Sequence, residues 1–314
     1  MSWALESQRK NYGKALVELG KRRKDIVVLD ADLSGSTRTV EFKTAYPDRF
    51  FNCGIAEQNM MGTAAGLAVC GMTVFASTFA VFATGRAYDQ IRQSIAYPNL
   101  NVKVVASHAG ITVGGDGASH QTMEDIALMN AIPNMTVIVP ADGPETYNAV
   151  LAAAEHRGPV YIRMGRSEVP VITPREAAFK IGKATTLREG SDVALVGVGQ
   201  MVAPCLLAAD ALKAKGINAR VINLSTIKPL DVGTLERAAR ECGCVVTAEE
   251  HNIVSGVGTL VAAVLAERHP TPMERVAMQD VFGQSGESDE LMKEYGLSEK
   301  EVIAAAIRVM ERKK

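Results

Sequence analysis

Residues 26–30 read IVVLD, four apolar side chains followed by a carboxylate. Runs of the same kind recur along the chain: TVFAS at 73–77, VKVVA at 102–106, TVIVP at 136–140 and PVYIR at 159–163. A second series comprises DVALVGV at 192–198, NARVINL at 218–224, CVVTAEE at 244–250 and the weaker MERVAM at 273–278. Because these runs lack clean apolar–polar alternation, they predict strands that are buried on both faces of parallel sheets.

Helix-length amphipathic segments separate the predicted strands. They lie near 3–24, 57–70, 80–96, 143–157, 201–215, 231–241 and 257–268. Strand–helix–strand repetition joins parallel strands by right-handed crossovers, so the sequence predicts an α/β fold with doubly wound, mainly parallel sheets.

The 314 residues are enough for two domains, since one domain takes about 150 residues. Residues 167–190 separate the two series of strands, contain two prolines and carry no helical stripe. We therefore expect a first domain at 1–166, a linker at 167–190 and a second domain at 191–314. Ligands of such sheets bind at the carboxyl ends of the strands, so the segments that follow the first series are the candidate site.

Composition and charge exclude several classes of protein. The chain has 34 Lys and Arg residues against 35 Asp and Glu residues, which leaves no basic excess for binding nucleic acid. Charges, glycines or prolines interrupt every apolar run, so no membrane partner is expected. The first 24 residues carry no signal-peptide core, and five dispersed cysteines form no disulfide framework. These features predict a cytoplasmic protein without a metal site of its own.

Glu57 begins a predicted helix whose other residues are mostly small and apolar. A carboxylate in the first turn of a helix is stabilised by the helix dipole, which is a purely structural explanation. The apolar surroundings also favour a buried carboxyl group that donates or accepts a proton. The local sequence leaves both interpretations open.

A glycine-rich loop lies between His108 and His120 and contains Asp116. Glycines let the backbone adopt positive φ and approach a ligand closely. Two imidazoles and a carboxylate can hydrogen-bond the hydroxyls of a polar substrate and move protons near neutral pH. A surface loop with incidental histidines is the alternative. The Gly-Asp-Gly at 115–117 does not extend to a diphosphate motif at Asn148, because prolines and a strand interrupt the stretch between them.

Other candidates are weaker when taken singly. Phe79 and Phe82 have the spacing of core residues on one helix face, or they stack on a flat heteroaromatic ring. Arg166 follows a predicted strand and is suited to binding a phosphate, whereas Arg9 and Ser36 belong to no local motif. In the second domain, Gly197-x-Gly199 lacks the third glycine of a dinucleotide fingerprint, so NAD binding is not expected.

Several long segments together resemble the C-terminal half of transketolase, in the order and spacing of that family. They are DADLSGST (30–37), GIAEQNMMGTAAGLA (54–68), STFAVFATGRAYDQIR (77–92), the region 107–134 that contains both histidines, VIVPADG (137–143) and YIRMGRSEVPVI (161–172). The resemblance covers essentially the whole chain and implies a pyrimidine-binding domain followed by a transketolase C-terminal domain.

The resemblance implies roles for the candidate residues. Glu57 matches the glutamate that bonds the aminopyrimidine of thiamine diphosphate and promotes its reactive tautomer. The remaining matches divide between cofactor contacts and sugar-phosphate contacts. Asp32, Phe79 and Phe82 lie on the cofactor side; His108, His120 and Asp116 contact the reacting part of the sugar; Arg9, Ser36 and Arg166 hold its terminal phosphate.

The same resemblance implies a missing half, because the family binds the cofactor diphosphate and its Mg²⁺ or Ca²⁺ in an N-terminal region. We therefore expect one subunit of a split transketolase that dimerises and requires an N-terminal subunit; a fragment of a longer polypeptide is the alternative. The implied reaction transfers a two-carbon ketol unit between sugar phosphates. Deoxyxylulose-phosphate synthase and 2-oxoacid dehydrogenase half-enzymes are alternatives within the same cofactor class. A structural or regulatory subunit with a decayed site is the non-enzymatic alternative.

Overall fold

A computed structural model describes residues 3–313 of the chain. Within these residues, fourteen strands form three sheets. In chain order they are β1 Leu5–Ser7, β2 Ile26–Asp30, β3 Phe50–Asn52, β4 Thr73–Phe79, β5 Val102–Ser107, β6 Thr136–Ile138, β7 Val160–Arg163, β8 Glu168–Pro170, β9 Thr185–Arg188, β10 Val193–Gly197, β11 Ala219–Asn223, β12 Thr226–Lys228, β13 Val245–Asn252 and β14 Met273–Met278.

Twelve α-helices connect and cover the strands within the same residues. They are α1 Gln8–Arg22, α2 Ser34–Thr37, α3 Val40–Ala45, α4 Glu57–Val69, α5 Tyr88–Gln90, α6 Asp125–Ala131, α7 Gly143–Glu155, α8 Val202–Lys213, α9 Val232–Cys242, α10 Val257–Arg268, α11 Ser288–Glu294 and α12 Glu299–Glu311. Short 3₁₀ segments lie at Pro47–Arg49, Ile111–Asp116 and Gly199–Met201, and π-helical segments lie at Phe82–Arg86 and Ile91–Ala96.

The first large sheet has seven strands in the order β12-β6-β7-β5-β4-β2-β3, and the second has five in the order β14-β13-β10-β11-β9. All pairings are parallel except those of the edge strands β12 and β9. The central strands β2, β4, β5 and β7 are buried along their whole length. The predicted α/β fold with doubly wound, mainly parallel sheets is therefore confirmed.

The structure differs from the sequence-based expectation in three places. Residues 5–7 form strand β1, which pairs with β8, so the helix predicted from residue 3 begins at Gln8. Ser7 ends the strand and caps α1, because its side chain accepts a hydrogen bond from the Lys10 amide. The segment 167–190 contains strands β8 and β9. Strand β12 also crosses from the second predicted domain to the first sheet, where it pairs with β6. The proposed boundaries between the domains remain a prediction.

One apolar core runs between the two large sheets. It includes Val104 of β5 and Val137 of β6 on one side, and Val196 of β10 and Ile222 of β11 on the other. All four side chains are fully buried. The contact therefore holds the two sheets in a fixed relation and brings the second sheet close to the loops of the first.

Candidate active site

The predicted site residues follow strands that are neighbours in the first sheet. Phe79 ends β4 and pairs in register with Ser107 at the end of β5, directly before His108. Residue Arg163 ends β7 beside β5, three positions before Arg166. Since all of these strands are parallel, their carboxyl ends lie on one edge of the sheet. The fold thus gathers residues that are far apart in the sequence.

Glu57 is the first residue of α4, and its side chain is only 2% exposed. Nη1 of Arg86 lies 3.1 Å from each of its carboxylate oxygens. Arg86 itself is 51% exposed and its guanidinium carbon lies 4.5 Å from the centre of the Phe82 ring. One guanidinium therefore bridges the buried carboxylate and the aromatic face.

The aromatic residues form a continuous stack with the two histidines. The Phe79 and Phe82 rings are 5.8 Å apart and nearly parallel, and the Phe79 ring stacks on His108 at 3.7 Å. His120 meets the Phe82 ring edge-on at 5.5 Å. Phe79 is buried and Phe82 is half-buried, so Phe82 is the ring that a flat ligand can reach.

His108 is held in an unusual conformation at the end of β5. Its φ is +58°, its side chain is buried, and its Nδ1 lies 2.9 Å from Oγ of Ser107. Burial, followed by the nearby charges of Arg9, Arg166 and His120, lowers the pKa of His108 to about 3. The imidazole is therefore neutral near pH 7, and the bond at Nδ1 leaves Nε2 available to a ligand.

Arg9 and Arg166 form a cationic pair beside His108. Arg9 donates from Nη1 to the Ser36 carbonyl and from Nη2 to the Arg166 carbonyl, both at 2.7 Å. Arg166 donates to the Val113 carbonyl at 2.5 Å. Burial lowers the pKa of Arg9, and the charges of Arg38 and Arg166 lower it further. Its Nε is buried without a hydrogen-bond partner among residues 3–313, so Arg9 keeps one donor that no described residue satisfies.

The remaining predicted residues contribute no side-chain hydrogen bond to this group among residues 3–313. Asp32 has a φ of +64° and is exposed beside Asn52, whose Nδ2 donates to its carboxylate at 2.8 Å. Asp116 is exposed at the end of its 3₁₀ segment. Ser36 takes part through its backbone carbonyl, which accepts the bond from Arg9. Neither aspartate forms a hydrogen bond or ion pair with the Glu57–His108 group within residues 3–313.

Sequence reasoning missed two contributors to the site. Arg86 lies four residues after Phe82, a spacing that places side chains side by side on a helix and could have indicated the contact. Asp30, at the end of β2, shapes the following loop because its carboxylate accepts bonds from the Thr37 and Thr39 hydroxyls and the Leu33 amide. Burial is the largest influence on Asp30 and raises its pKa.

Among residues 3–313, no group of three His, Cys, Asp or Glu side chains is arranged to hold a metal ion. The helices of the same residues include none with the length and apolar character needed to cross a bilayer.

Comparison with known proteins assigns the two halves of the chain. A family model described as "Transketolase, pyrimidine binding domain" matches residues 7–171, and one described as "Transketolase, C-terminal domain" matches residues 182–302. A transketolase C-terminal section from Methanocaldococcus jannaschii is 49% identical over 317 aligned positions, covering 100% of this chain and 98% of the relative.

Two further relatives are named as subunits of larger enzymes. A 6-deoxy-6-sulfo-D-fructose transketolase subunit of a Clostridium species is 42% identical and covers 97% of this chain and 95% of its own. One subunit of an apulose-4-phosphate transketolase from Phocaeicola vulgatus is 35% identical, and the alignment covers 97% of each chain. The chain spans 48% of a longer relative, transketolase-like protein 2 of Mus musculus.

Solved structures agree with these assignments. A split gene transketolase solved as an inactive beta4 tetramer is 52% identical, with a TM-score of 0.91 over 98% of this chain and 99% of that one. Transketolase from Leishmania mexicana, at 24% identity and a TM-score of 0.82, shares the fold over 46% of its length. The chain belongs to the transketolase family, which uses thiamine diphosphate, and corresponds to the pyrimidine-binding and C-terminal domains of that family.

Proposed function

We propose that this chain is a subunit of a split, thiamine diphosphate-dependent transketolase that transfers a two-carbon ketol unit from a ketose phosphate to an aldose phosphate. A single observation carries the proposal: the buried Glu57 carboxylate lies in one cluster with the half-buried Phe82 ring, two histidines and, beside them, two arginines, of which Arg9 has a buried Nε without a partner among residues 3–313. Each of these features suits one part of the cofactor or of the sugar phosphate.

The residues present fit the aminopyrimidine of thiamine diphosphate. A flat heteroaromatic ring needs an aromatic face, and its ring nitrogen needs a carboxyl partner shielded from water. Phe79 and Phe82 supply the first and Glu57 supplies the second, with Asp32 proposed as a further cofactor contact at the edge of the site. When bound, thiamine diphosphate supplies the nucleophilic carbon and the electron sink that allow a C–C bond beside a carbonyl to be broken.

The chain's own residues have separate tasks around the reacting atoms. Glu57 holds the proton shared with the pyrimidine ring nitrogen, in a pocket where little water competes for it. His108, neutral and fixed by Ser107 and Phe79, presents Nε2 to a sugar hydroxyl or carbonyl oxygen. His120 lies at the edge of the same stack, and Asp116 on the same loop is proposed to bind a further hydroxyl.

The terminal anion of the sugar is assigned to Arg9, Ser36 and Arg166. Half-buried guanidinium groups without an ion-pair partner among residues 3–313 are suited to a phosphate, because each presents several donors in one plane. Two relatives are named for substrates with different terminal groups, a sulfonate in 6-deoxy-6-sulfo-D-fructose and a phosphate in apulose 4-phosphate. We assign this chain a phosphorylated sugar of the pentose phosphate pathway.

We further propose that an N-terminal subunit completes the site. That subunit would hold most of the cofactor diphosphate and its Mg²⁺ or Ca²⁺, and two copies of each chain would form a heterotetramer around a homodimer of this chain in the cytoplasm. The 52% identical split-gene relative supports this assignment, since its beta4 tetramer is described as inactive. Cofactors held between subunits favour two-fold assemblies.

Reconstitution tests the proposal. The chain is mixed with the N-terminal section from the same genome, thiamine diphosphate and Mg²⁺, and ketol transfer is measured between a pentulose 5-phosphate and an aldopentose 5-phosphate. We expect activity only from the mixture, and a roughly 10²–10⁴-fold loss on Glu57→Gln. Glu41, also in the first turn of a helix, provides the matched control Glu41→Gln, which should retain activity.

Each outcome separates the proposal from an alternative. Full activity from this chain alone would remove the two-subunit requirement, and equal turnover by the Glu57→Gln complex would remove the proton role. Turnover of pyruvate with glyceraldehyde phosphate, or of a 2-oxoacid, without pentose-phosphate activity would favour the other half-enzymes of this cofactor class. A complex inactive with every substrate would favour a structural or regulatory subunit.

A further inference from the structure

The glycine-rich loop of the first domain is bound by a buried carboxylate of the second. Glu250 lies near the end of β13, and its side chain is only 2% exposed. One of its oxygens, Oε1, accepts hydrogen bonds from both the amide and the hydroxyl of Thr112, each at 2.9 Å. Thr112 lies between His108 and His120, so Glu250 is attached to the segment that carries both imidazoles.

The fit between the carboxylate and the loop is close. Gly110, with a φ of +79°, packs directly on the Glu250 carboxyl group, and a Cβ at this position would overlap it. Two further residues of the second domain form hydrogen bonds with Thr112. Gln200 donates to its hydroxyl at 3.1 Å, and the Ser288 hydroxyl donates to its carbonyl at 3.0 Å.

The charge of Glu250 is balanced from the first domain. Arg163 lies with Nη1 3.7 Å from Oε2 of Glu250 and donates from Nη2 to the Glu250 carbonyl at 2.9 Å. Its Nε donates to Asp125 at 2.8 Å, so the guanidinium is shared between two buried carboxylates. An acid that is paired in this way is fixed in position, which makes it a rigid anchor for the loop.

We propose that Glu250 is a positioning residue for the ketol-transfer site. It fixes residues 110–120 against the second domain and thereby sets where His108 and His120 present their imidazoles to the sugar. The inference rests on the proposed function for its catalytic consequence, whereas the anchoring of the loop stands without it. The second domain accordingly takes part in substrate binding without contacting the substrate.

The neighbouring residue offers a matched control. Glu249 is also buried and also accepts two hydrogen bonds, from the Val257 and Gly258 amides at 2.6 and 2.7 Å. Those amides belong to the start of α10, away from the loop. Glu249→Gln therefore perturbs a buried carboxylate of the same strand and leaves the contact with Thr112 in place.

Hydrogen–deuterium exchange on the isolated chain tests the anchor directly. We expect Glu250→Ala to accelerate exchange of amides in residues 108–120 by about tenfold or more, because two hydrogen bonds to a charged group are lost. Glu250→Gln keeps one oxygen acceptor and should give a smaller effect. Thr112→Val removes the hydroxyl that donates to Glu250 and accepts from Gln200, and keeps the amide bond to Glu250. It should also accelerate exchange, which tests the same contact if Glu250→Ala fails to fold.

Kinetics of the reconstituted pair test the consequence for binding. Glu250→Gln should raise the KM for the ketose phosphate by about tenfold with a smaller change in kcat, while Glu249→Gln leaves KM unchanged. Unchanged exchange at 108–120 in both Glu250→Gln and Thr112→Val, or an equal increase in Glu249→Gln, would overturn the anchor. A wild-type pair without ketol transfer would overturn the proposed function alone, since the exchange result does not depend on activity.

Discussion

Replacement of Arg9 by Gln is the sharpest test of the sugar-phosphate assignment. Arg9 donates to the carbonyls of Ser36 and Arg166, and its buried Nε has no partner among residues 3–313. Its charge lies beside the cations Arg38 and Arg166, whose repulsion exceeds the attraction of the nearby Glu168 carboxylate, so a bound anion would stabilise it. The variant removes that charge and keeps a polar side chain of intermediate length.

The expected magnitude follows from these contacts. A hydrogen bond to a charged group contributes roughly 1.5–3 kcal/mol, and each 1.4 kcal/mol changes affinity tenfold, so the loss corresponds to about 10–150-fold in binding of the phosphate. Stability should change much less. The variant loses two carbonyl contacts, but it also removes the burial of a charge and the repulsion from Arg38 and Arg166, which together lower the pKa of Arg9.

The assay compares a ketose phosphate with the same ketose lacking the phosphate, using the reconstituted pair. The ratio of the two kcat/KM values should fall by about 10–150-fold in Arg9→Gln, because only the phosphorylated donor uses the lost charge. Arg49 provides the control, since it also donates to two backbone carbonyls, those of Arg23 and Gly20, at 2.7 and 2.8 Å. An unchanged ratio in Arg9→Gln, or an equal fall in Arg49→Gln, would refute the assignment.

Three further predictions concern single groups. The His108 imidazole should stay neutral from pH 8 to pH 5 in an NMR titration, because its pKa is lowered to about 3. His108→Gln is the assignment control. The stability that the neutral imidazole contributes is complete above pH 6.5 and is lost as the pH falls toward 3. Burial raises the pKa of Glu145 to about 7. The free energy of unfolding should therefore fall as the pH rises from about 4.5 to 7, by at most ~3 kcal/mol. In denaturation experiments across that range, Glu145→Gln should not show this fall. Arg86→Gln should strengthen binding of thiamine diphosphate to the reconstituted pair by up to about tenfold, as measured by calorimetry. The reason is that the cofactor no longer has to displace a guanidinium from Glu57. Weaker binding would contradict this reasoning and show that Arg86 assists the cofactor.

The local sequence was sufficient to predict those elements that are stabilised by nearby residues or that are completely buried. IVVLD at 26–30 coincides with β2, and MERVAM at 273–278 coincides with β14. Strand β12 has only three residues, and its partner β6 lies about ninety positions earlier in the chain, so no nearby pattern indicates it. The sequence extends the first predicted helix over residues 5–7, whereas the structure places a strand there. The strand could not be predicted because its pairing partner, β8, lies in a segment without a recognisable pattern.

The candidate site likewise has features that the local sequence indicates and features that depend on contacts between distant residues. Glu57 and His108 could be singled out as candidates, because each belongs to a segment of family-like sequence, whereas Arg9 belongs to no local motif; the roles of all three stay a prediction. The ion pair between Arg86 and Glu57 could not be predicted, since it joins residues 29 positions apart in the chain. The anchoring of the loop by the second domain was also outside sequence reasoning, which treated the two domains as independent units.

The distribution of charge explains why half of the site is expected to be inactive alone. Within the cluster built by this chain, Glu57 is a buried carboxylate already paired with Arg86. A neutral ring nitrogen that binds Glu57 must first separate this ion pair, and its own hydrogen bond recovers only part of that interaction. A partner that binds the cofactor diphosphate contributes free energy from a different part of the same molecule, and this free energy drives the separation. In the proposed enzyme, binding of the aminopyrimidine to Glu57 would therefore be coupled to assembly of the two subunits.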